Sequence, residues 1–294
     1  VTGAFLRTCR PSQWTKNLVV FAALIFARKV GDPDSLVSAI LAFFLFSFLS
    51  SSVYVLNDVL DREEDRRHPL KKTRPVASGE LPVPAAIAGA LALAAVSLVL
   101  GFRLSPPFGL TLVLYFALNL LYSIRLKEIV GLDVLSISVG FVLRAIGGVE
   151  ALAGKVDDVL LSPWLLVCTF FLSLLLALCK RRNELVVLGE DASSHRPVLA
   201  HYSVALVDHL IGIVAGSTIL AYSIYTIWPA TVEKFDTDRL VYTIPFVVYG
   251  IFRYLYLVYR EGSGGNPSEV LYKDRPILVT LGLWVAAVLL ILFR

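Results

Sequence analysis

Ser52-Val53-Tyr54-Val55-Leu56-Asn57-Asp58-Val59-Leu60-Asp61-Arg62-Glu63-Glu64-Asp65-Arg66-Arg67-His68-Pro69 closes a hydrophobic run that begins at Leu36. The run from Leu36 to Val55 has the roughly 20 apolar residues that an α-helix needs to cross bilayer hydrocarbon. Acids then follow at helical spacing. At about 100° per residue, Asn57, Asp58, Asp61 and Asp65 fall within roughly 100° of arc, so four oxygen-bearing side chains are expected on one helical face about 12 Å long. Hard oxygen ligands on a rigid helix end, followed by basic residues, suit a Mg²⁺ that is itself bound to a substrate's phosphates. Asp65 lies about 6 Å beyond Asp61 and could act through water or by orienting Arg66.

The rest of the 294-residue chain repeats the apolar half of that pattern. With 57% hydrophobic side chains and a mean hydropathy of +0.74, it is too apolar for a soluble enzyme of its size. Apolar runs centre on Asn17 to Ala27, Leu36 to Val55, Pro84 to Phe102, Phe108 to Tyr122, Val130 to Ala153, Trp164 to Cys179, Val207 to Trp228, Leu240 to Tyr259 and Ile277 to Phe293. The expected fold is therefore all-α, a polytopic membrane helical bundle with about nine transmembrane helices in one integral membrane domain. That domain covers residues 1–294. The first run is short, and tilts or begins earlier.

Most of the 27 Lys and Arg fall on the N-terminus and every second connection, leaving Arg28, Lys29, Arg103, Lys155, Lys234, Arg239 and Arg294 on the opposite face. Cations accumulate on the cytoplasmic side, which places the N-terminus and the acidic helix end in the cytosol and the C-terminus outside. A multi-pass protein of a prokaryotic cytoplasmic membrane is expected. Cys9, Cys168 and Cys179 lack ligand spacing and read as free thiols. The chain opens on Val1 and contains no Met, which points to a trimmed start, and no cleavable signal peptide is evident.

Further polar residues gather at the cytosolic ends of spans. Arg10-Pro11-Ser12-Gln13-Trp14-Thr15-Lys16-Asn17 is an interfacial lead-in whose Lys16 serves either lipid headgroups or a bound phosphate. After the acids comes a basic loop bounded by prolines, His68 to Gly79, with Lys71 and Arg74. Tyr122 and Lys127 sit where a phenol and an ammonium could reach a phosphate, although Tyr is also an ordinary interfacial residue. Asp133 and Arg144 lie about 20° apart around one helix and about 16 Å apart along it. Arg144 is costly in lipid, so it should face a polar cavity or a carboxylate, while Gly147 and Gly148 permit close helix approach.

Lys180-Arg181-Arg182-Asn183-Glu184 places Lys180, Arg181 and Glu184 at the offsets of Asn57, Asp58 and Asp61, with the signs reversed. A duplicated helical unit put to complementary uses is one reading; positive-inside bias is the other. The connection from Leu185 to Ser203 carries His195, Arg196, His201 and Tyr202. Loops 59–82 and 180–206 are expected to cap the site. Asp208 and His209 are adjacent, hence about 100° apart, and a poor metal pair.

One acidic helix tip, one basic tip and scattered cations fit metal-bridged diphosphate chemistry. Diphosphate leaves readily only when Mg²⁺ and cations neutralise its developing charge. No catalytic triad, P-loop or dinucleotide fingerprint competes. The residues Asn57-Asp58-x-x-Asp61-x-x-x-Asp65, the Arg74-Pro75-x-x-Ser78-Gly79 loop and the nine-span pattern resemble the UbiA-type intramembrane prenyltransferase superfamily, over nearly the whole chain. Ordinary members carry a second Asp-rich motif and hold a prenyl diphosphate through two Mg²⁺. Here the matching place reads Lys180-Arg181-x-x-Glu184.

With Arg10-Pro11-x-Gln13-Trp14-x-Lys16-Asn17, Arg144-Ala145-Ile146-Gly147-Gly148 and Asp274-Arg275, that departure is similar to the superfamily's decaprenyl-phosphate phosphoribosyltransferase branch. The resemblance implies transfer of 5-phosphoribosyl from phosphoribosyl diphosphate to a polyprenyl phosphate, giving a precursor of cell-wall arabinan. Charge counting agrees: donor and lipid together bring more negative charge than one Mg²⁺ offsets, and Lys or Arg supplies it as fixed charge.

The resulting assignment makes Mg²⁺ the cofactor, held by Asn57, Asp58, Asp61 and Asp65. Asp58, Asp61, Lys180 and Arg181 carry the catalysis. Lys16, Asn57, Arg66, Lys71, Arg74, Tyr122, Lys127, Arg144 and Glu184 contact the substrates. Phosphoribosyl diphosphate, polyprenyl phosphate and membrane lipids are the expected partners, with no nucleic acid. A homo-oligomer is compatible with this reading. The rivals are a prenyltransferase moving a prenyl group from prenyl diphosphate to an aromatic or lipid acceptor, and a transporter or lipid-binding module. Against the last, the charges crowd one membrane face instead of forming a relay.

Overall fold

The computed structural model describes residues 2–27, 29–67, 71–153, 163–189, 196–262, 265, 270 and 273–292. Parts of both expected capping loops, with His68, Pro69 and His195, lie outside the described residues, as do Arg28, Lys155 and Arg294. Among the described residues there are helices and no strand. In chain order they are α1 Thr2–Thr8, α2 Ala22–Phe26, α3 Pro33–Leu60, α4 Arg62–Arg67, α5 Pro75–Ser78, α6 Val83–Leu104 and α7 Pro106–Ile124. The series continues with α8 Leu132–Glu150, α9 Pro163–Leu188, α10 Val204–Ile227, α11 Pro229–Phe235, α12 Ile244–Arg260 and α13 Arg275–Leu292. Short 3₁₀ segments connect several of them.

Among the described residues eight helical segments are long and apolar enough to cross a membrane: α3, α6, α7, α8, α9, α10, Arg239–Arg260 and α13. The remaining expected span, Asn17 to Ala27, differs: Pro11–Phe21 winds as a 3₁₀ helix and only Ala22–Phe26 is α-helical. A 3₁₀ helix rises about 2 Å per residue, so the two pieces together reach roughly 30 Å, the thickness of bilayer hydrocarbon. The segment runs antiparallel to α3. Trp14 Nε1 donates to Ser51 Oγ (3.0 Å), Asn17 Nδ2 donates to Ser47 Oγ (3.0 Å), and the Phe21 and Phe43 rings lie 5.6 Å apart. The run that looked too short is thus an extended helix started by Pro11, and its length lies in its rise.

Two compact units are distinguished, Val1–Ile124 with Leu143–Leu160, and Arg125–Val142 with Leu161–Arg294. In the first, α3 packs on α6 and α7. Ala86, Ala90, Ala94, Ser97 and Gly101 are buried on α6, a stripe of small residues that lets helix backbones approach where lipid offers no hydrophobic contrast. Phe46, Phe108 and Tyr115 fill the core beside it with edge-to-face rings. Asp32 caps the start of α3 by accepting the Ser35 N–H (2.9 Å), ahead of Pro33. With 28 residues α3 is about 42 Å long, roughly 12 Å more than the hydrocarbon is thick, and that surplus carries Asn57 to Leu60.

In the second unit α9 packs on α10, and α12 on α10 and α13, around Leu175, Leu178, Val207, Ile211, Tyr254 and Leu257. At 26 residues α9 is also longer than a crossing requires, and Lys180 to Leu188 form its last turns. Surplus helix length therefore positions both tips picked out from the sequence.

The Gly147-Gly148 pair serves close packing, as its composition suggested. A Cβ on Gly147 would meet the Phe46 ring, and one on Gly148 would overlap the Val20 carbonyl oxygen. Backbone cannot yield as a flexible side chain can. Gly148→Ala should cost about 1–3 kcal/mol of stability, read as a lower thermal midpoint in detergent, whereas Gly212→Ala should cost none because an added Cβ there meets open space.

Candidate active site

The helix expected to run unbroken through Asp65 ends at Leu60. Asp61 turns out of it at φ −87°, ψ 8°, and α4 begins one residue later. Helical spacing nevertheless survives the break, because the Asp61 N–H donates to the Asn57 carbonyl (2.9 Å) and the Asp65 N–H to the Asp61 carbonyl (2.8 Å). Asp58 and Asp65 are each 2% exposed and meet on one guanidinium, since Arg74 Nη1 lies 3.2 Å from Asp58 Oδ1 and 2.7 Å from Asp65 Oδ2. Pro75 keeps Arg74 extended (φ −61°, ψ 140°) just ahead of α5, which turns the side chain back onto the acids.

Arg10 completes the cluster from the other side. Its guanidinium bonds to Asp58 Oδ1 and lies 5.2 Å from the centre of the Tyr54 ring. Its backbone is left-handed (φ 51°, ψ 62°), a conformation that costs an L-residue about 1–2 kcal/mol. Within the Arg10-to-Asn17 motif the sequence assigns Arg10 no role of its own. The signal available was its place before Pro11, on a segment leading to an intramembrane Asn.

Among the described residues no group of three or more His, Cys, Asp or Glu side chains is arranged to hold a metal ion. The carboxylates are instead clasped by Arg10 and Arg74. The donor chemistry still fits Mg²⁺: hard oxygens of Asp58, Asp61 and Asp65 stand in successive turns, and the Asn57 Oδ1 atom is buried without a hydrogen-bond partner. An orphaned acceptor beside two arginine-held carboxylates suits a cation that arrives with an anionic substrate. Arg66 donates to the Ala77 carbonyl (3.0 Å) and Lys71 is half-buried on the short 3₁₀ turn Lys71–Thr73. Tyr122 is half-buried near the end of α7.

Arg144 is 6% exposed, as its cost in lipid requires. Where the sequence suggested a cavity or a carboxylate, its partners include neutral groups. Nε donates to Asn17 Oδ1 (2.7 Å), Nη2 to the Tyr115 hydroxyl (2.7 Å), and the guanidinium lies over the Tyr115 ring at 4.6 Å. Asn17 in turn donates to Ser47 and Ser50. Arg144 thereby anchors the residue next to Lys16, which is half-buried.

In the second unit the basic tip is divided between two environments. Lys180 is exposed, while Arg181 is 1% exposed and points inward. Arg181 Nε donates to Asp133 Oδ2 (2.8 Å) and Nη1 to Glu184 Oε2 (2.8 Å). Asp133 is wholly buried, and its Oδ1 accepts the Tyr202 hydroxyl (2.8 Å), which itself accepts the Gly131 N–H (2.8 Å). Burial pushes the Tyr202 phenol up to about 12, so it remains a donor throughout the neutral range. Arg181, expected beside Lys180 among substrate-facing cations, is thus engaged in a buried network that sequence spacing could not reveal. Glu184 also lies 3.9 Å from Arg196. Lys127 is half-buried on the Leu126–Glu128 turn. Asp208 is taken by Arg182 (2.6 Å) and Tyr259 (3.1 Å).

Comparison with known proteins relates this arrangement to a family. The chain is 31% identical to the decaprenyl-phosphate phosphoribosyltransferase of Corynebacterium glutamicum, over 98% of this chain and 86% of that one. It is 30% identical to the protein of the same name from Mycolicibacterium smegmatis (98% and 92%) and 31% identical to that of Mycobacterium tuberculosis H37Rv (96% and 92%). Among solved structures, a UbiA homolog from Archaeoglobus fulgidus bound to DMAPP and Mg²⁺ superposes with a TM-score of 0.72 at 18% identity, covering 98% of this chain and 99% of that one. The model of the UbiA prenyltransferase family matches residues 17–268, and the chain belongs to that family.

Proposed function

We propose that this protein transfers 5-phosphoribosyl from phosphoribosyl diphosphate to a polyprenyl phosphate, releasing diphosphate. The observation that carries the reading is the asymmetry of the two long helix ends. The end of α3 is an acidic cluster, whereas the end of α9 exposes Lys180, and the acids near it, Glu184 on α9 and Asp133 on α8, are already engaged by Arg181. Similarity to three proteins named decaprenyl-phosphate phosphoribosyltransferase, over nearly the full chain, supports the same substrates.

In this proposal Asn57, Asp58, Asp61 and Asp65 hold a Mg²⁺ that comes with the donor's diphosphate. That ion supplies neutralisation of the charge that builds on the leaving group. Arg10 and Arg74, pre-placed against the carboxylates, pass to phosphate oxygens when the donor binds. Lys71 and Arg66 add charge at the loop. Lys180 and Lys127 hold the 5-phosphate or the lipid phosphate, and Lys16, fixed through Asn17 and Arg144, meets the lipid headgroup. The nucleophile needs no base, because a phosphate oxygen of the lipid is already ionised at neutral pH. Alignment of that oxygen with ribose C1, opposite the departing diphosphate, is the chief catalytic task, and the anomeric centre inverts. The active face lies in the cytosol of a prokaryotic cell.

Purified protein with Mg²⁺, labelled phosphoribosyl diphosphate and polyprenyl phosphate should yield a labelled lipid. Prenylation of an acceptor without labelled lipid would select the prenyltransferase reading instead. Asp58→Ala and Asp61→Ala should each lower kcat/KM by about 100-fold or more with the fold retained, since each removes charge used in the transition state; near wild-type turnover in both would remove the metal assignment. Lys180→Ala should raise KM for one phosphate-bearing substrate by about tenfold, and an unchanged KM for both would remove that contact.

A further inference from the structure

Asp133 is the hub of three chain ends in the second unit. It belongs to the first turn of α8, where its carboxylate receives Arg181 from the end of α9 and the hydroxyl of Tyr202 from the residue before the Ser203 cap of α10. The Tyr202 hydroxyl also takes the N–H of Gly131, whose left-handed backbone (φ +80°) starts the turn into α8. Asp133 is 0% exposed, Arg181 1% and Tyr202 7%. The turns on either side of this hub carry cations. Leu126–Glu128, with Lys127, packs on Pro197–His201, and Lys180 precedes Arg181 directly on α9.

A buried ion pair is a weak source of net stability, because desolvation of both ions cancels much of their attraction. What it does supply is a fixed geometry. Two phosphate-binding lysines on flexible stems gain most from backbones that are already immobile when the substrate arrives.

We propose that Tyr202, Asp133 and Arg181 form a clasp of positioning residues that hold Lys127 and Lys180 ready for phosphate, Arg181 acting through Asp133 without touching substrate. This rests on the phosphoribosyl-transfer reading for its substrates, but the clasp itself has a readout that needs no turnover. Backbone amide hydrogen exchange in the Leu126–Glu128 and Pro197–His201 turns reports directly whether the clasp holds them.

The test uses the full-length protein in detergent as wild type, Tyr202→Phe, Arg181→Lys and the double variant. Steady-state kinetics with both substrates are measured beside backbone amide hydrogen exchange in Leu126–Glu128 and Pro197–His201, read by mass spectrometry. The clasp predicts that each single variant raises KM for a phosphate-bearing substrate about tenfold, leaves kcat within about twofold, and speeds that exchange. It also predicts that the double variant is no worse than the worse single one, because both changes open one clasp. KM effects that multiply in the double variant would make Arg181 a direct phosphate ligand and overturn the proposal. So would wild-type exchange and KM in Tyr202→Phe. Should the wild type transfer no phosphoribosyl, the functional reading fails while the exchange rates still decide on the clasp.

Discussion

A carboxylate at the end of a membrane helix can leave water only against a cation. Desolvating one such ion costs several kcal/mol even after relaxation, so burial dictates partnership. Asp58 and Asp65 are buried because Arg74 spans both and Arg10 closes on Asp58. Asp133 is buried because Arg181 reaches it, and Arg144 survives within a helix because Asn17 and Tyr115 receive its N–H groups. The carboxylates are thereby paired with cations in the resting protein, and Arg144 is held by hydrogen bonds. In the function we propose, an incoming phosphate competes for Arg10 and Arg74, already in place, and an incoming Mg²⁺ for the carboxylates they hold. Little reorganisation is left to the moment of reaction, which is where electrostatic catalysis gains its advantage.

Helix length translates this constraint into architecture. A span longer than the hydrocarbon is thick must tilt or project, and α3 and α9 are the long ones whose last turns carry the polar chemistry. Pro11–Phe21 shows the reverse: 11 residues, wound as 3₁₀, cover about 22 Å beside α3, where an α-helix of that length would cover about 16 Å. That choice also brings Arg10, Trp14 and Asn17 onto one side of the segment, where α3 offers Asp58, Ser51 and Ser47.

The helical class, the membrane spans and the acidic tip were legible because they follow from local periodicity and composition. Leu36 to Val55 has the length and composition of a membrane-spanning helix, and Asn57, Asp58, Asp61 and Asp65 keep helical spacing through a break the sequence does not announce. Partnership between distant segments was not legible. The pairing of Arg181 with Asp133 joins residues far apart in sequence, and positive-inside bias made Arg181 look like one more cytosolic cation. Arg144 was correctly read as needing a polar partner, but Asn17 and Tyr115 are ordinary residues whose role depends on packing. The first span begins earlier than its apolar run, one of the two expected outcomes, but its 3₁₀ winding was not legible, since hydropathy measures residues and not rise per residue.

The end of α3 is acidic, while that of α9 exposes Lys180. In the function we propose, fixed cations suit a donor and an acceptor that both carry phosphate, and the lipid is the nucleophile instead of the electrophile. The most direct test of that claim follows an oxygen atom. With the phosphate of the polyprenyl substrate labelled with oxygen-18 and unlabelled phosphoribosyl diphosphate as donor, the account predicts a product in which heavy oxygen bridges lipid phosphorus and ribose C1. The released diphosphate should stay unlabelled. Heavy oxygen in the released phosphate, or a prenyl group attached to the acceptor without the lipid's phosphorus, would contradict it.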